Sequence, residues 1–102
     1  VTGTAVETSL YGTIEVLVHK DRSLQWPRAE TPTHYMSMGL DPDLDEAARM
    51  ATRDMVEFLV EEKDMDPGDA YILCSVALDL RITQLVDGTK GVHGMLAKAL
   101  FQ

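Results

Sequence analysis

Apolar and polar positions alternate along the first part of the chain and then change period. Thr2, Thr4, Val6 and Thr8 share one face if residues 1 to 20 are extended, and Ile14, Val16 and Val18 share a face in TIEVLVH. A period of two predicts β structure, and Leu17 on the other face predicts cover on both sides. Tyr11-Gly12 reads either as a bend within one long strand or as a break between two. Asp21, Arg22 and Ser23 predict a turn. In LQWPRAETP two prolines remove donors and restrain the residues before them, which predicts a shaped extended segment or loop. HYMSMGL then predicts a strand with Tyr35 and Ser37 opposite Met36 and Met38, and with Gly39 allowing a bend.

From residue 43 the period lengthens. Leu44, Ala48, Ala51, Met55, Phe58 and Leu59 recur at three- and four-residue spacing, predicting an amphipathic helix over about 43–63. Asp43 with Glu46 forms a candidate capping box, and Asp66 before Pro67 marks the start of a second helix. Arg49 and Arg53 stand at pairing distance from Asp45 and Glu57. The second helix carries Tyr71, Leu73, Cys74, Val76, Ala77 and Leu78 around most of its circumference, and so is expected to be the more buried of the two. RITQLV returns to alternation, DGTKG predicts a turn, and VHGMLAKALF reads as strand or short helix.

This order predicts an α+β domain over 1–102, an antiparallel or mixed sheet covered by two consecutive helices. It lacks the regular β-α-β alternation of a doubly wound fold, and the first 40 residues argue against a helical bundle. A chain of 102 residues holds one modest core. Its 45% apolar and 25% charged residues are ordinary for a globular protein, which disfavours disorder.

The formal charge is −8, from 17 acidic and 9 basic side chains, with no Lys/Arg cluster to follow a phosphate backbone. Nucleic acid is therefore not an expected partner. No apolar run approaches a membrane span, and no basic start followed by an apolar core suggests a signal peptide. The single cysteine permits a reducing compartment, and a cytoplasmic location is expected.

Chemistry is sparsely signed. Glu30 and His34 in AETPTHY could divide acid–base work or bind a metal, but a fully extended chain would hold their Cα atoms roughly 13 Å apart. Pro32 must redirect the chain, or both must face a shared pocket. The plainer reading is a strand-entry loop in which Trp26 packs and Glu30 caps backbone donors. His93, between Gly91 and Gly94, could approach a ligand or bond a carbonyl within the fold. Asp79 and Asp87 flank the returning strand and could orient a base or satisfy a turn. Cys74 sits among apolar neighbours, where desolvation disfavours the thiolate. The lysines are scattered, and no HExxH, EF-hand, Walker, dinucleotide or GxSxG motif occurs.

Taken together, ETPTHY, GLDPDLDEA, DPGDAY and DLRITQLVDG resemble, in order, the C-terminal region of the acetamidase/formamidase family. The likeness runs from TGTAVET to KALF. It implies a parent enzyme that hydrolyses short linear amides, of formamide or acetamide type, to carboxylate and ammonia. It also implies a β-sandwich-like body joined to an α+β portion, and a divalent metal such as zinc in the complete enzyme. In the family a block bearing His and Asp precedes the segment matching TGTAVET, so the expected partners are a missing N-terminal region, a small amide and, as an open question, further copies in a homo-oligomer.

On this resemblance Glu30 matches the Glu of the ETP-like motif, His34 the position following it in similar members, and His93 a GVH-like stretch of one branch. Asp79 matches the DLRI-like motif. Leu78 and Ala97 depart from the family, where small residues and Pro are common. The implied mechanism is attack by a metal- or base-activated water, with Glu30 first in line, His34 orienting and His93 third. The chain alone is expected to be inactive. A reading of a different class is a noncatalytic structural or oligomerisation domain.

Overall fold

The computed structural model describes residues 6–101. Four antiparallel strands, β1 (Arg28–Glu30), β2 (His34–Asp41), β3 (Asp79–Gln84) and β4 (Lys90–Ala97), form one open sheet in the order β1-β2-β4-β3. Two helices, α1 (Leu44–Lys63) and α2 (Pro67–Ala77), join β2 to β3. The α+β expectation holds, and of its two sheet alternatives the antiparallel one is adopted. The tail resolves as β4 followed by a short 3-10 turn over Lys98–Phe101.

Local signals account for the helix ends. The Asp43 carboxylate accepts from the backbone N–H groups of Asp45 and Glu46, while the Asp43 N–H donates to Asp41. Asp41 thus takes the role expected of Glu46, which instead pairs with Arg49. Asp64, at φ 52, closes α1 in the left-handed region, and Asp66 caps α2 by accepting from Gly68 N–H. Asp87 and Gly88, both at positive φ, make the β3–β4 turn.

Helix α1 lies across β2 and β4. Met55 and Leu59 from α1, Ala70 and Cys74 from α2, and Leu96 from β4 form the main core. Toward the start of α1, Ala47 and Ala51 pack with Val92. Here helix and sheet approach closely: a Cβ on Gly39 would lie 2.0 Å from the Ala47 carbonyl oxygen. Ser37 seals the contact by donating from Oγ to the Ala51 carbonyl at 2.7 Å.

Two expectations are corrected. Residues 6–20 form no strand, and Ile14, Val16 and Val18 are 87%, 83% and 78% exposed. Their alternation is genuine, yet a strand also needs a neighbour to satisfy its backbone. The part of that reading on residues 1–5 lies outside the described residues. Second, α2 is the less buried helix: Tyr71, Ile72 and Val76 are 63%, 61% and 77% exposed. It packs its Ala70–Cys74 side against the core, and no described element covers the other side. Among the described residues no helix is long and apolar enough to cross a membrane.

Candidate functional site

Strand register decides which candidate residues can cooperate. Glu30 stands opposite Tyr35 across the β1–β2 hairpin, so the two side chains share the face that carries α1. His34, one residue earlier on β2, belongs to the other face. His93 is opposite Met38 and therefore lies on that same helix-free face. Four strand positions separate it from the level of His34, on the order of 13 Å.

Both of these histidines are held through Nδ1 by a threonine hydroxyl. Thr33 Oγ1 bonds His34 at 2.9 Å and Thr83 Oγ1 bonds His93 at 2.6 Å. Asp79 pairs with Arg81, the residue directly opposite His93. Asp87 accepts from Gln84 within the turn. Cys74 is 5% exposed, and burial raises its thiol above the usual range, which opposes thiolate chemistry.

Glu30 has more company. Lys98, following β4, donates from Nζ to its carboxylate at 2.5 Å. That hydrogen bond and the ammonium charge hold the Glu30 carboxyl below the ordinary carboxylate range, with a smaller contribution from Lys63. Lys63, in the last turn of α1, donates to the Tyr35 phenol oxygen at 2.7 Å and sits over the Tyr35 ring, 4.4 Å from its centre. The Lys98 ammonium lies 5.0 Å from the same centre. Tyr35 is thus flanked by two ammonium groups and a carboxylate. Because its oxygen accepts from Lys63, its own O–H remains able to donate elsewhere.

A cavity of about 410 Å³ opens beside this cluster, with Glu30, Tyr35, Phe58, Arg28 and His19 among its lining residues. Arg28 is fixed there by Asp54, whose carboxylate is 1% exposed, through bonds of 3.0 and 2.9 Å. Burial works to lower the guanidinium pKa, but hydrogen bonding and charge from Asp54 outweigh it and the net shift is upward. Nothing in the linear chain links Tyr35, Lys63 and Lys98, which come from β2, the end of α1 and the segment after β4. Only the pairing of β2 with β4 assembles them.

Among the described residues no group of three or more His, Cys, Asp and Glu side chains could hold a metal ion. Register gives the reason: Glu30 and the two histidines are divided between sheet faces, and the histidines are far apart along one of them. By themselves these residues do not fit a resident divalent metal.

Comparison with known proteins gives this arrangement a context. No family model matches the chain, and no curated protein matches it. Among solved structures, an acetamidase from Yersinia enterocolitica is 36% identical with a TM-score of 0.78, over 81% of this chain and 25% of its own. An acetamidase from Bacillus halodurans is 34% identical with a TM-score of 0.72, over 80% of this chain and 28% of its own. A predicted acetamidase/formamidase from Thermoanaerobacter tengcongensis, at 24% identity and a TM-score of 0.72, supports the fold alone. The chain is similar in sequence and fold to one stretch of two acetamidases, and spans about a quarter of the length of the relatives it matches.

Proposed function

We propose that these residues are the C-terminal part of a hydrolase that cleaves a short linear amide, of formamide or acetamide type, to carboxylate and ammonia. The observation that carries the reading is the 36% identity to an acetamidase over 81% of the chain. Within the chain, the cluster around Glu30 is the arrangement best suited to that chemistry.

Glu30 is a carboxylate at neutral pH, and it is placed to accept a proton as water attacks the amide carbon, though its pairing with Lys98 weakens it as a base. The Tyr35 O–H, oriented by Lys63, is suited to donate to the carbonyl oxygen as negative charge develops there. The protonated Glu30 can then return its proton to the departing nitrogen, so that ammonia leaves and the acid remains. Lys98 holds the Glu30 carboxylate in place between these steps. His34 and His93 face the other side of the sheet and take no part in this cluster, so a role for either would be played on that helix-free face. A divalent metal there would need donors from outside these residues.

The test is ammonia release from formamide and acetamide by the longer protein that carries these residues. Glu30→Gln is expected to lower kcat by about 100-fold or more while changing KM little. Tyr35→Phe is expected to lower it about 10- to 100-fold. Undiminished kcat in Glu30→Gln would remove Glu30 from the reaction, and no hydrolysis by the unaltered longer protein would end the amidase reading. The uncovered apolar side of α2 favours the second reading, a structural or oligomerisation module, which predicts assembly without hydrolysis.

A further inference from the structure

Residues 6–18 are the least explained part of the molecule. They carry Val6, Leu10, Tyr11, Ile14, Val16, Leu17 and Val18, every one 68% exposed or more, in a segment without regular structure. An exposed apolar patch of this extent marks an interaction site, and the period-two run TIEVLV states which kind. Its β-branched residues suit a pleated, covered surface, and an extended segment satisfies its backbone by joining a sheet edge.

We infer that residues 13–18 form a β-strand that adds to a sheet edge in the part of the longer protein outside these 102 residues. The inference rests on the reading of the chain as part of a longer amidase. Two observations select this occupant over a second copy of the chain. The relatives extend over about four times the matched length, so most of the homologous fold lies beyond these residues. Each copy also carries a formal charge of −8, and the segment itself bears Glu7 and Glu15, so like charges oppose self-docking. Within the present sheet, β1 at one edge is only three residues long, and residues 13–18 pair with neither it nor β3 at the other edge.

Amide hydrogen exchange at residues 13–18, measured in the 102-residue chain and in the longer protein, tests this. The expected result is near-unprotected exchange in the short chain at every concentration, slowed about 100-fold or more in the longer protein. Unprotected exchange in the longer protein would overturn the inference. So would protection in the short chain that rises with concentration, since that is the signature of a second copy.

A variant carrying Ile14→Asp and Val16→Asp gives an independent measure. It should lower the Tm of the longer protein by several degrees and leave that of the short chain within about 1 °C. Equal shifts in both would contradict the assignment. Amide hydrolysis by the same longer protein is read separately, so a docked strand without hydrolysis discredits only the amidase chemistry.

Discussion

Arg28 on β1 grips Asp54 on α1 with its guanidinium edge, Nε to Oδ2 at 3.0 Å and Nη2 to Oδ1 at 2.9 Å. The carboxylate is buried and Arg28 shields the pair from solvent, so the bond ties the outermost strand to the helix beneath it. Removing one partner leaves the other charge without compensation. Arg28→Met is expected to destabilise the fold by about 3 kcal/mol in urea unfolding, and Arg28→Met with Asp54→Leu by clearly less. A double variant as unstable as the single would show that the pair matters for its packing and not for its charge.

Gly39 offers a sharper steric test. Its missing side chain is where the Ala47 carbonyl sits, so the added methyl of Gly39→Ala must push α1 off β2. The expected loss is about 3 kcal/mol or more, or failure to fold. Gly12→Ala, where nothing lies within 4 Å, serves as the control and should leave Tm nearly unchanged. Gly39 lies in a strand against α1 and Gly12 in the open, so equal effects would contradict the close helix–sheet contact.

The Glu30–Lys98 contact makes a pH-dependent contribution with a definite sign. Glu30 is depressed by Lys98, so its contribution to stability is present above the ordinary glutamate pKa and disappears as pH falls through the depressed folded value. Carboxyl carbon NMR should show Glu30 titrating below the usual glutamate range. In Lys98→Met the titration should move back up toward that range. Because Glu30 is exposed, the effect is read in the titration and is expected to be small in Tm.

Cys74 should behave as a buried thiol. A thiol-reactive reagent at neutral pH is expected to label it slowly in the native chain and rapidly in denaturant, because burial raises its pKa and blocks access. The sign in pH is opposite to that of Glu30: its neutral form stabilises the fold below the ordinary thiol pKa, and that contribution is lost as pH rises into the alkaline range. Cys74→Ala should leave hydrolysis by the longer protein unchanged.

Features that depend on neighbours in the chain were legible in advance. Asp43 and Asp66 accept backbone donors two or three residues ahead, so their capping roles and both helix starts could be read directly. The 3.6 period of α1, the alternation of β2 and the Asp-Gly turn before β4 belong to the same class, and with the strand–helix–strand order they sufficed for an α+β fold. Interactions of long range were not accessible in this way. Glu30 and Lys98 are 68 positions apart, and they meet only because β4 pairs with β2 between β1 and β3.

The same division explains the two corrected expectations. Apolar residues in α2 and in residues 6–18 express a need for cover, and their spacing says what shape that cover must have. Which neighbour supplies it depends on elements placed by the tertiary fold, and here the core takes only the Ala70–Cys74 side of α2 and none of the segment. Local hydrogen bonding and side-chain period are properties of adjacent residues and are written in their order. Burial, face and partnership are properties of distant residues brought together, and only packing in three dimensions decides them.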